Sequence, residues 1–126
     1  MRDGIREFDD LDVWKRSHAL TLKIYNLIKR FPKEERFGLS EQVRRSISSI
    51  GANIAEGFSR YHTNDKIKFY YNARGSISES KNHIFLARDL GYLDATISAL
   101  FIGELDMIKK QLNAMINSLR SHATHF

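Results

Sequence analysis

Few residues in this 126-residue chain have the types and spacing that catalysis requires. Glu79 and His83 stand one turn apart on a predicted helix, where they could ligate a metal or pass a proton. A lone Glu-His pair serves more often as a surface hydrogen bond, because a metal site needs three or four ligands. His122 and His125 share the spacing of one helical face near the C-terminus, with no third ligand beside them. Carboxylate-bridged di-iron bundles need Glu-x-x-His on two helices and a glutamate from each of two others; the chain lacks that set. It also lacks the phosphate-cradling Gly-x-x-x-x-Gly-Lys-Ser/Thr and Gly-x-Gly-x-x-Gly patterns and the Gly-x-Ser-x-Gly nucleophile elbow. Having no cysteine, it can form no disulfide, thiolate zinc site, iron-sulfur cluster or cysteine nucleophile. The expectation is a protein that is not an enzyme and carries no metal and no cofactor.

Charge is the stronger chemical signal. The net charge is +5, but residues 1–12 hold two arginines against five acids, a balance of −3, so residues 13–126 carry +8. Between Val13 and Phe31 there are five cations and no acid. Arg16, Lys23 and Arg30 are seven residues apart and share one helical face, and Arg74, Lys81 and Arg88 repeat that spacing further on. Cations about 10.5 Å apart along a helix match every third phosphate of a nucleic-acid strand. These six residues are the candidate RNA- or DNA-binding set; the alternative is a solvated helix face, with Lys29 and Arg30 answering a helix dipole.

The elements that must carry these residues are helical, since one proline and seven glycines punctuate the chain too seldom for many short strands. Apolar residues recur at a period near 3.6 in four stretches. These predict helices over about 11–31, 41–60, 64–90 and 95–120. Asp10 or Asp12, Ser40, the Thr63-Asn64-Asp65 cluster and Asp94 are the expected N-caps, Pro32 the stop of the first helix and Gly91 a left-handed C-cap of the third. The whole chain, 1–126, reads as a single all-α domain, an antiparallel up-down-up-down four-helix bundle. The longest run free of Asp, Glu, Lys and Arg, Ser46 to Ala55, has ten residues, too few for a membrane span, and with no signal-like N-terminus the cytoplasm is the expected location.

Helix 2 is rich in small residues from Ser46 to Gly57, and helix 3 offers a matching patch at Gly75, Ser76, Ser78 and Ser80. The physical use of such patches is close approach of helices, within one chain or between subunits. Phe69, Tyr70 and Tyr71 span about 200° of the third helix, so one ring is expected to face outward, against a neighbouring subunit or a nucleic-acid base.

The run Ser49-Ile50-Gly51-Ala52-Asn53-Ile54-Ala55-Glu56-Gly57-Phe58-Ser59-Arg60 is distinctive. With Phe8, Leu11 and Trp14, Phe31-Pro32, Phe37-Gly38-Leu39, Arg44-Arg45, Gly75-Ser76, Glu79 and Leu90-Gly91-Tyr92-Leu93, it resembles the four-helix bundle proteins associated with intervening sequences in 23S ribosomal RNA genes. The resemblance covers roughly residues 8 to 120. It implies a homopentameric ring, and it extends to the accessory proteins of diversity-generating retroelements, for which it implies nucleic acid and a reverse transcriptase as partners; a protein-binding scaffold without nucleic acid is the alternative. Arg44, Arg45, Asn53, Glu56, Gly57, Gly75, Ser76 and Glu79 are the family-motif positions, expected to play structural parts. Among them, a buried polar network is expected to join helices 2 and 3, with Arg44 or Arg45 as counter-ion. A remote alternative is that Arg120 and His125, at Arg-x4-His spacing, resemble the motif of HEPN ribonucleases.

Overall fold

The computed structural model describes residues 4–123. Four helices make up most of that length: α1 (Asp12–Ile28), α2 (Leu39–Ser59), α3 (Thr63–Asp89) and α4 (Ala95–Ala123). Each packs on its neighbours in chain order and α4 closes against α1, which is an antiparallel four-helix bundle. The core is mainly aliphatic. Ile47, Ile50 and Ile54 of α2 meet Ile77 and Ile84 of α3 and Leu105, Ile108, Leu112 and Ile116 of α4, all essentially inaccessible to water. Burying each such side chain is worth about 1.5–3 kcal/mol.

The helix ends differ from expectation in instructive ways. α1 stops at Ile28, because the backbone tightens into i→i−3 bonds from Arg30 to Leu27 and from Phe31 to Ile28 before Pro32. This folds Phe31 back into the core, where its ring lies 5.5 Å from that of Tyr92. Neither Asp10 nor Asp12 caps α1. The Asp10 carboxylate turns back to accept the Arg6 and Glu7 amides at 2.9 and 3.0 Å, bonds that hold its carboxyl below the usual range, and Asp12 accepts from Gln111 Nε2 at 2.8 Å. Ser40 does not cap α2 either. It is buried in the first turn, and Glu35 Oε1 takes the Leu39 amide at 3.1 Å instead. His62, not Thr63, Asn64 or Asp65, precedes α3, and no side chain caps that end.

Two expectations at the ends hold. Asp94 Oδ1 accepts the amides of Thr96 at 2.6 Å and Ile97 at 3.3 Å, capping α4. Gly91, at φ +83°, ends α3: its amide bonds Arg88 O and the Tyr92 amide bonds Ala87 O, the paired bonds of a Schellman ending.

The small-residue patches are used unequally. Gly57 lets Tyr70 lie directly on α2, since a Cβ there would fall 2.7 Å from Tyr70 Cε1. Gly51 faces Trp14 of α1, and Gly75 and Ser78 point to solvent. Midway along the α2–α3 seam the links are neutral hydroxyls: Ser80 donates to Ser46 and Ser76 to Ser49, each at 2.9 Å, and within α2 Asn53 Nδ2 donates to Ser49 Oγ at 3.0 Å; at the end of α2, Lys66 of α3 donates to the Phe58 carbonyl at 2.7 Å. Of the positions expected to form a network with an arginine counter-ion, only Asn53 and Ser76 take part, and Glu79 faces His83 of its own helix. Glu56 is half exposed and pairs with Arg60 at 3.0 Å, Arg44 reaches Glu41 and the Arg36 carbonyl, and Arg45 is exposed. Burying a carboxylate and its arginine would cost more than two serine pairs return, so the charged ends stay in water.

Candidate nucleic-acid interface

The two cation rows are placed on helix faces that border α4, and α4 answers them with acids. Arg16 Nη1 lies 3.3 Å from Glu104 Oε1, and Lys81 Nζ lies 2.8 Å from Asp106 Oδ1. Arg74 donates to Asn113 Oδ1 at 2.9 Å and stacks over Tyr71 at 4.7 Å. Arg88 grips Asp89 at 2.8 and 3.2 Å, which raises the guanidinium pKa and lowers that of the carboxyl. Four of the six residues thus already hold a partner within the bundle. A spacing of seven places side chains in line, but in a bundle that line runs along a neighbour's flank, where complementary charges sit.

Lys23 and Arg30 differ. Both are exposed, as are Lys29 and Lys33, and none of the four has a side-chain partner among the described residues. They occupy the last two turns of α1 and the connector that follows. That connector is firmly held. Glu35, besides accepting the Leu39 amide, takes the Tyr92 hydroxyl at 2.8 Å, tying the α1–α2 connection to the α3–α4 turn. Both bonds hold the Glu35 carboxyl below its usual range, and the Tyr92 hydroxyl is pushed up by the same carboxylate. Gly38 makes room for this, as a Cβ there would lie 2.9 Å from Glu35 Oε1. Beside it Phe37 is 85% exposed, with the Arg36 guanidinium 5.1 Å from its ring centroid. Lys33 and Phe37 were not among the residues singled out by spacing. The signal was there in the sequence: a phenylalanine between Arg36 and Gly38 in a polar connector has no helical stripe to join.

The aromatic trio is also arranged differently from expectation. No ring of the three stands out into solvent. Tyr70 is 2% exposed and belongs to the core. Phe69 lies under Arg60 at 4.7 Å, and Tyr71 lies between the guanidinia of Arg74 and Arg120, at 4.7 and 5.2 Å. Guanidinium groups cover what the apolar core cannot take, a contact worth about 0.5–1 kcal/mol at exposed sites.

The Glu79–His83 pair stays within one helix. His83 is buried with Nε2 3.4 Å from Glu79 Oε2, and no cluster of three or more His, Cys, Asp or Glu occurs among the described residues. Arg120 is engaged with Tyr71, and His125 lies outside the described residues. Among those residues no helix is long and apolar enough to cross a membrane.

The profile of the 23S rRNA-intervening sequence proteins matches residues 9–114. The chain belongs to that family. A crystal structure of a protein with unknown function from the S23 ribosomal protein family of Bacteroides thetaiotaomicron VPI-5482 is similar, with TM-score 0.77 and 28% identity across 82% of this chain and 97% of that one. No curated protein matches the chain. Within the family's bundle, Lys23, Lys29, Arg30 and Lys33 gather unpaired at the α1 end and connector, while Arg45, Lys68, Lys109 and Lys110 are exposed and unpaired on the other helices; the most recognisable segment, Ser49 to Arg60, lies in helix-to-helix packing.

Proposed function

We propose that this family member is a non-enzymatic, self-associating bundle that binds RNA or DNA with the end formed by α1 and the connector. One observation carries the reading: Lys23, Lys29, Arg30 and Lys33 are exposed and unpaired on the end of α1 and the connector, and the same connector carries the exposed ring of Phe37 with Arg36 against it. Cations supply phosphate contacts and an exposed ring supplies a stacking platform, the combination that sequence-tolerant nucleic-acid binding uses. Self-association is supported by α4, whose Leu100, Gly103 and Met107 share one outward face, the two apolar residues 67% and 43% exposed. A smooth helix face of this kind fits another helix closely. The pentameric ring implied by the family resemblance is the assembly we favour, and in a retroelement setting a reverse transcriptase is the protein partner to look for.

Two measurements test this. Light scattering should give about five times the 14.6 kDa chain mass, and a monomer persisting at tens of micromolar defeats the assembly. Fluorescence titration with structured RNA and with mixed-sequence duplex DNA at low salt should show binding whose log affinity falls with log salt at a slope of about −3 to −4 if four phosphates are neutralised. Replacing Lys23, Lys29, Arg30 and Lys33 by alanine should flatten that slope. An unchanged slope places the interface elsewhere, and no binding of either nucleic acid at micromolar protein leaves the protein-scaffold reading.

A further inference from the structure

Phe37 and Tyr61, 85% and 90% exposed, are the two most accessible large apolar side chains among the described residues. They stand just beyond the two ends of α2, and an arginine precedes each. Both sit on short, ordered chain. Phe37 follows the connector that Glu35 ties down and carries the Arg36 guanidinium on its ring. Tyr61 is the middle of the three residues that join α2 to α3, its ring 5.0 Å from that of His62 and nearly perpendicular to it. Between the two tips an exposed stripe runs along α2 through Glu41, Arg45, Ser48, Ala52, Glu56 and Ser59. Its two acids are paired, Glu41 with Arg44 and Glu56 with Arg60, while the Arg45 side chain has no partner among the described residues. The stripe therefore offers a positive charge and no free carboxylate, and Ser48 and Ala52, midway, are too short to hold a ligand off the helix.

We infer that Tyr61 is a second stacking platform, and that the nucleic acid this protein takes is a single strand lying along α2 from Phe37 to Tyr61. The inference rests on the nucleic-acid reading above and deepens it. An open aromatic face stacks on any base whose own face is free, and within a duplex those faces are covered by neighbouring bases. The setting of the two rings also separates a strand from a protein partner. Anchors of protein interfaces sit in packed pockets ringed by residues that shut out water, whereas these rings stand out from chain turns, and the ring contacts they make are with Arg36 and His62. Helix length then sets a strand length. The 21 residues of α2 span about 31 Å at 1.5 Å per residue, which a stacked strand at about 3.4 Å per nucleotide covers with about nine nucleotides.

Labelled oligouridylates of about 4 and about 12 nucleotides, titrated by fluorescence anisotropy into the full chain at low salt, test this: at twice the stacked rise the short strand still reaches only about 27 Å, while the long one spans α2. Tyr61→Ser should weaken the longer strand at least about fivefold, the low end of what one base–aromatic stack is worth. It should leave the shorter strand, held at the Phe37 end by the α1 cluster, within about twofold, and should not change the salt slope of the longer one, because no phosphate contact is lost. Tyr61→Phe, which keeps the ring, should bind both strands as the parent protein does. At 90% exposure neither substitution touches the core, and the helical signal and melting transition confirm that the fold is kept. The inference is overturned, with the nucleic-acid reading left standing, if Tyr61→Ser binds the longer strand with unchanged affinity, if the shorter strand loses as much, if Tyr61→Phe is as defective as Tyr61→Ser, or if duplex DNA binds and neither strand does. Absence of binding to both strands and to duplex overturns the two readings together.

Discussion

The hydroxyl of Ser80 on α3 donates across 2.9 Å to that of Ser46 on α2, and Ser46 passes its own proton to the Val43 carbonyl at 3.3 Å. The relay has a direction, so its two members are not equivalent. Ser46→Ala strands a fully buried donor and should cost about 1–3 kcal/mol, whereas Ser80→Ala leaves the Ser46 to Val43 bond intact and should cost about 0.5–1.5 kcal/mol. Urea unfolding of the two variants measures the difference, and equal losses would show that the relay runs without the asserted polarity.

Gly57 and Gly75 are both helical glycines with opposite surroundings. A methyl at Gly57 would enter the Tyr70 ring, with Cδ1 at 3.0 Å and Phe69 Cβ at 3.1 Å behind it, and Gly57→Ala should lose about 1–3 kcal/mol by overpacking. Nothing lies within 4 Å of a Cβ at Gly75, so Gly75→Ala should gain about 0.5–1 kcal/mol from helix propensity. Thermal or urea unfolding reads the sign directly.

Helix number, order and approximate span were legible because the apolar period is strong and a single proline and a left-handed glycine mark two ends. The caps were less so. Glu35 reaches across the connector to serve Leu39, a contact that the proximity of Ser40 to the helix start concealed. The cation rows were visible as spacing, but spacing within one helix says nothing about what the neighbouring helix offers, and Glu104 and Asp106 decide which cations remain unpaired. The cavity at the end of the bundle where α1 and α3 begin was not legible at all. Lined from three stretches of the chain, 5–13, 58–70 and 111–119, it exists only once they are packed together, and an orphaned acceptor such as Gln111 Oε1 is defined only by its surroundings.

Those two acids supply a charge prediction. Glu104→Gln with Asp106→Asn should release Arg16 and Lys81 and, if nucleic acid follows the α4 flank as well as the α1 end, add up to two phosphate contacts. The salt slope on duplex would then become more negative by about 1.8. A slope unchanged from the parent protein would confine nucleic acid to the connector end.

Burial of Tyr70 predicts an alkaline weakness. Loss of hydration pushes its hydroxyl up to about 12 from an ordinary 10.0. Between those values the unfolded chain has released the proton and the folded chain has not, so stability is full below about pH 10 and falls as pH rises toward 12. Tyr70→Phe should make the fall between about pH 9 and pH 11.5 shallower, as followed by urea midpoints. Parallel declines for the two proteins would mean that the ring titrates freely in the fold.

The contacts of Ser46 with Ser80, Ser49 with Ser76 and Gly57 with Tyr70 lie at three levels of the α2–α3 seam. Each fits only at its own height, so the seam works like a key cut with three notches. Sliding one helix by a single turn, about 5.4 Å, would leave at most one hydroxyl pair, Ser46 with Ser76 or Ser49 with Ser80, and would take the Tyr70 ring off its glycine. The aliphatic core would tolerate such a slide far better, being much the same at every level. Vertical alignment of the bundle is therefore set by its smallest side chains, while its largest supply the cohesion.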